Sequence, residues 1–123
     1  MSYDEGLAAR TRAILAARAD LGERKMFGGL AFLVGGHMCC GIIGTELMVR
    51  VGPEGFERAL SQAHARPMDF TGKPLRGMVN VAAAGLRTDR SLRAWIARGL
   101  RFVTMLPPKS ASTKAKRQPR RAN

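Results

Sequence analysis

Hydrophobic and polar residues recur with different periods along this chain, and each change of period marks an element. Leu7, Thr11, Ile14 and Leu15 fall on one side of a helix, with Leu21 further along the same pattern. Ser2 and Glu5 have capping-box spacing, in which hydroxyl and carboxylate each satisfy an otherwise unpaired N–H. Ala8, Ala9, Ala13, Ala16 and Ala17 add helix propensity, and Gly22 is a natural stop. A first helix is therefore expected from near Ser2 to Gly22. The period then shortens. Lys25 to Val34 reads as one strand, followed by Gly35-Gly36, a pair suited to a two-residue hairpin turn. His37 to Ile43 forms the next strand, with Met38, Cys40 and Ile42 on one face and His37, Cys39 and Ile43 on the other. After Gly44-Thr45, Leu47, Val49 and Val51 alternate with Met48 and Arg50, the pattern of a half-buried strand.

Gly52-Pro53-Glu54 opens a second helix, with proline in the first turn where its missing N–H costs nothing, and Phe56, Ala59, Leu60 and Ala63 give it an apolar face. Arg66 to Arg76 contains two prolines and a glycine, so it is read as a loop, or at most a short edge strand around Met68–Phe70. Gly77 to Ala82 is a further strand. The last helix has Thr88 or Asp89 as its cap and Pro107 as its end. Leu92, Trp95, Ile96, Phe102, Val103 and Leu106 lie in one arc of that helix, with Arg90, Arg93, Arg98 and Arg101 opposite. The order α-β-β-β-α-β(β)-α predicts an α+β fold of two layers. It has one antiparallel sheet of four to five strands, with helices on one face.

Charge modifies this picture at one end. The chain has 123 residues, with 21 Lys plus Arg against 9 Asp plus Glu, a net +12. Lys109, Lys114, Lys116, Arg117, Arg120 and Arg121 supply +6 of that within a segment that has no acid and no large apolar residue. Such a segment cannot bury enough surface to offset the entropy of ordering. The expected division is a domain over 1–108 and a disordered basic tail over 109–123. The whole chain is 46% hydrophobic, a globular composition. No apolar run approaches the ~18 residues that would cross a bilayer. Asp4 and Glu5 stand where the apolar core of a signal peptide would begin, so a cytoplasmic location without membrane association is expected.

Candidate chemistry is sparse. His37, Cys39 and Cys40 suggest a metal, but Cys40 is expected to face away from Cys39, and His64 is the only other histidine. No metal or other cofactor is therefore assigned. A nucleophilic thiol would need a base or helix N-terminus beside it, which the sequence does not place there. Phe27-Gly28-Gly29 enters a strand, not a helix, so it reads as a bulge or close backbone packing instead of a phosphate loop. Asp69 is a lone carboxylate suited to a turn or cap. The scattered methionines read as core filler, with an adaptable partner surface as the alternative. The arginines of the last helix can be a solvated face or, with the tail, a surface that tracks phosphates. Lys114, Lys116, Arg117, Arg120 and Arg121 join Arg90, Arg93, Arg98 and Arg101 as the candidate nucleic-acid-binding set. The tail lacks aromatics for base stacking, and no base-reading motif is present.

The run Lys25-Met26-Phe27-Gly28-Gly29-Leu30-Ala31-Phe32 resembles the signature of the TfoX (Sxy) N-terminal domain family. The likeness continues through Met38-Cys39-Cys40-Gly41, Leu47 to Gly52 and Arg66 to Pro74. It closes with Trp95 and Leu106-Pro107-Pro108-Lys109. It spans roughly Tyr3 to Lys109, in several ordered blocks. Where family members carry a Leu-Pro-Gly-Val-like turn after the first helix, this chain has Ala19-Asp20-Leu21-Gly22. The resemblance implies a two-layer domain like the type III secretion chaperones. It also implies a regulatory role like that of the competence regulators, which act with the cyclic-AMP receptor protein at promoters. Those members carry a second, C-terminal domain, where this sequence has the basic tail. No catalytic residue is carried over from the family. The expectation is a non-enzymatic regulatory or adaptor domain working through a protein partner, such as transcription machinery. The alternative is direct, non-specific nucleic-acid binding by the tail and the last-helix arginines. Self-association through a sheet edge or the last helix is left open.

Overall fold

The first helix, α1 (Glu5–Leu15), is capped by Asp4, whose carboxylate accepts from the N–H of Gly6 at 2.8 Å and of Leu7 at 3.2 Å. The computed structural model describes residues 3–26, 28–69 and 74–107. The Ser2 capping residue, Phe27, Phe70 and the tail with Lys114, Lys116, Arg117, Arg120 and Arg121 lie outside them. α1 ends at Leu15, not Gly22, because Leu21 and Gly22 are taken by a strand, β1 (Leu21–Met26). There Leu21 pairs with Val34 and Gly22 with Leu33, and this ladder outweighs the helix propensity of Ala16 and Ala17.

The expected single strand Lys25–Val34 is instead two, divided at Gly28: β1 and β2 (Gly29–Val34) form an antiparallel hairpin. Gly29 is a site of close backbone packing, since a Cβ there would stand 2.2 Å from the carbonyl oxygen of Ile42. β2 continues into β3 (His37–Ile43) through Gly35-Gly36, both with positive φ, as the two-residue turn requires. β4 (Glu46–Arg50), α2 (Gly52–Leu60), β5 (Ala65–Asp69) and β6 (Pro74–Val81) follow. A short 3₁₀ turn (Ala83–Leu86) leads to α3 (Asp89–Val103), where the Thr88 hydroxyl caps the N–H of Ser91 at 3.0 Å.

The sheet order is β1-β2-β3-β4-β6-β5, all antiparallel. The class is as expected, but the sheet has six strands where four to five were predicted. The added strand is β1, whose Glu23, Arg24 and Lys25 are exposed and give no alternation. β1 and β5 are the edge strands, and an edge tolerates Pro67 in β5. Register puts Leu30, Phe32, Cys40, Ile42, Leu47, Val49, Val79 and Val81 on one face. α3 packs across β3 and β4 there, and α2 packs on β6. Leu92, Trp95, Ile96 and Val103 of α3 complete the core. The buried apolar surface of such side chains contributes about 1.5–3 kcal/mol each.

The cysteines depart from the expected alternation. Phe32 pairs with Cys40 but Leu33 pairs with Met38, so Cys39 has no cross-strand partner. This one-residue bulge brings both thiols into the same core, each fully buried. The expectation that Cys40 faces away from Cys39 is thereby overturned.

Candidate interaction surface

α3 is amphipathic, and its arginines do not act as one face. Arg90, Arg93 and Arg101 are exposed, whereas Arg98 is half-buried and folds over Trp95, its guanidinium carbon 5.1 Å from the ring centroid. Arg50, at the end of β4, lies in the same way over Phe102 at 5.2 Å. Among the described residues, the ion pairs are Arg10–Asp89, Arg12–Glu23, Arg18–Asp20 and Arg66–Glu46. Arg50, Arg58, Arg90, Arg93, Arg98 and Arg101 take part in none of them.

Two of the α3 arginines line a groove against α2. Its volume is about 670 Å³, and its walls include Val51, Pro53, Glu54, Glu57 and Arg58 on one side and Arg98, Arg101, Phe102 and Met105 on the other. Beside it, Gly52 lets Phe102 approach the start of α2 more closely than a side chain would allow. Met105 is 69% exposed, the one large hydrophobic residue so exposed among the described residues. Apolar and cationic side chains in one lining give the groove the means to hold an apolar group and an anion together. Arg90 and Arg93 are not part of it.

Sequence reasoning found Arg98 and Arg101 but not Arg50, Arg58, Phe102 or Met105 as neighbours. Arg58 follows Glu54 by one helical turn, a spacing that suggests an internal pair and conceals the groove. The packing of α2 beside α3 joins Arg58, Phe102 and Met105, and Arg50 of β4 reaches Phe102.

The other candidates are placed away from one another. The Cys40 thiol is held well above its ordinary range, first by its hydrogen bond with Cys39 and then by burial, the reverse of an activated nucleophile. Gly99 of α3 packs against Cys39. His37 donates from Nε2 to the Pro107 carbonyl and ties the end of α3 to the β2–β3 turn. His64 lies beside Gly85, with φ 71°. Among the described residues no three metal-ligating side chains gather. Asp69 closes β5 opposite Pro74. No helix among the described residues is long and apolar enough to cross a membrane.

A family model described as the TfoX N-terminal domain matches residues 13–103, which covers the sheet, α2, α3 and the end of α1. No curated protein and no solved structure matches the chain.

Proposed function

The chain belongs to the TfoX N-terminal domain family, and from that premise we propose that it is a non-enzymatic regulatory adaptor that acts through a protein partner, in transcriptional regulation in the cytoplasm. The observation that carries this reading is the α2–α3 groove. Arg58, Arg98 and Arg101, which form no ion pair among the described residues, line it together with Val51, Pro53, Phe102 and the exposed Met105. Hydrophobic surface with arginine at its edge is the composition of protein-binding patches. The cysteines support the same reading, because both thiols are buried and in contact with each other, not presented to a cleft.

The test is affinity capture by the full-length chain, with and without nuclease, compared with an Arg58→Glu/Arg101→Glu variant. The adaptor reading expects a captured protein that survives nuclease treatment, and loss of that protein with the variant would locate the contact in the groove.

A second reading, direct nucleic-acid binding, is favoured by one observation: Arg90, Arg93 and Arg101 are exposed without ion pairs among the described residues. It expects capture that nuclease abolishes. It also expects a binding constant that falls steeply with salt, as release of counterions requires.

A further inference from the structure

We propose that the α2–α3 groove takes an acidic segment of a partner protein, with an apolar side chain seated on Phe102 and Met105 and carboxylates against Arg98 and Arg101. The inference rests on the adaptor reading and narrows it to a ligand chemistry.

Three observations select this occupant. The first is charge. Arg58, Arg98 and Arg101 line the groove and Arg50 lies on Phe102, with no ion pair to any of the four among the described residues. Two of these cations are held over aromatic rings, which fixes them while leaving their N–H donors available to a carboxylate. The second is the apolar part of the lining. Val51, Pro53, Phe102 and Met105 are apolar, and methionine adapts its shape to a partner. A polyphosphate backbone offers nothing to bury there. The third is Glu54 and Glu57, exposed on the α2 wall of the same groove. They repel a continuous run of phosphates, whereas a peptide can direct its carboxylates to the α3 wall alone. The chain's own tail is excluded as occupant by its sign, since its six basic residues from Lys109 onward would meet the arginines. An amphipathic segment laid between two helices is an established recognition mode.

The test is fluorescence anisotropy on the full-length chain with a labelled peptide of Glu, Leu and Phe. A second peptide with Gln in place of Glu and a labelled duplex oligonucleotide serve as comparisons. Arg58, Arg101 and Met105 are exposed, so their variants retain the fold, which circular dichroism verifies. The acidic peptide is expected to bind saturably. Arg58→Glu/Arg101→Glu should weaken it by about tenfold or more, as loss of close charge contacts does. Met105→Ser should weaken it by about threefold through lost apolar contact. The Gln peptide should bind as weakly to the unaltered chain as the acidic peptide does to the charge-reversed one. Absence of saturable binding, equal affinity for the Gln peptide, or an oligonucleotide that loses affinity on Met105→Ser would each overturn the inference. The two readings fail separately. A nuclease-resistant partner captured equally by the charge-reversed variant removes the acidic segment and leaves the adaptor; capture that depends on nucleic acid removes both.

Discussion

Gly52 of α2 abuts the ring of Phe102 in α3: its φ is +81°, and a Cβ built on it would lie 2.3 Å from Cδ1 of the ring. The position therefore excludes a side chain twice, by backbone conformation and by space. Gly52→Ala should destabilise the fold by about 2–4 kcal/mol, combining the cost of a left-handed alanine with that of overpacking. Chemical denaturation gives the number. A loss below about 0.5 kcal/mol, the range of neutral surface changes, would show that α2 and α3 are not seated as described.

Gly99 and Cys39 make a second close approach, in which a Cβ would stand 2.7 Å from the Cys39 carbonyl oxygen and 3.0 Å from its sulfur. In a free helix Gly→Ala gains about 1 kcal/mol. Here the neighbour is backbone and cannot swing aside, so Gly99→Ala should cost about 1–3 kcal/mol instead. Lifting α3 should also expose the buried thiols. Ellman's reagent should react slowly with the unaltered chain and at least several times faster with the variant. Equal rates would mean that α3 does not cover the bulge.

These contacts indicate what the sequence can and cannot convey. α3 was legible because Leu92, Trp95, Ile96 and Val103 repeat at helical spacing between Thr88 and Pro107, and all four are buried. The β2–β3 hairpin was legible because Gly35-Gly36 names its turn. β1 was not, since an edge strand with charged residues at Glu23, Arg24 and Lys25 carries no alternation to detect. The bulge at Cys39 was hidden because it is set by register against β2, not by Cys39 or Cys40 themselves. Half of the candidate site was hidden for a related reason. Arg50, Arg58 and Phe102 belong to three elements, and nothing local states that they meet. Arg98 misled in the other direction, as helical geometry put it with Arg90 and Arg93, while its guanidinium folds back onto Trp95.

Arg12 links α1 to β1 through Glu23, with Nη2 to Oε1 at 2.9 Å, and its guanidinium also lies over Phe32. The hydrogen bond from Arg12 holds the Glu23 carboxyl below its ordinary range, against the opposing effect of burial, and Arg18 does the same for Asp20. A depressed folded-state pKa contributes stability that is present above the ordinary carboxylate range and lost as pH falls through the folded value. Arg12→Gln should therefore cost about 0.5–1 kcal/mol at neutral pH, the size of a partly exposed pair. That difference should shrink once Glu23 is protonated. Urea melts of both proteins across acidic and neutral pH measure it, and a difference independent of pH would remove the ion pair from the account.

The chain is proposed to work by holding a protein in the groove between α2 and α3. Site-specific photocrosslinking in living cells tests it most directly, with a photoreactive amino acid in place of Met105 in one protein and of Arg93, outside the groove, in another. A discrete protein adduct at position 105 and none at 93 is the expected result. Nuclease-sensitive adducts at 93 with no adduct at 105 would contradict it.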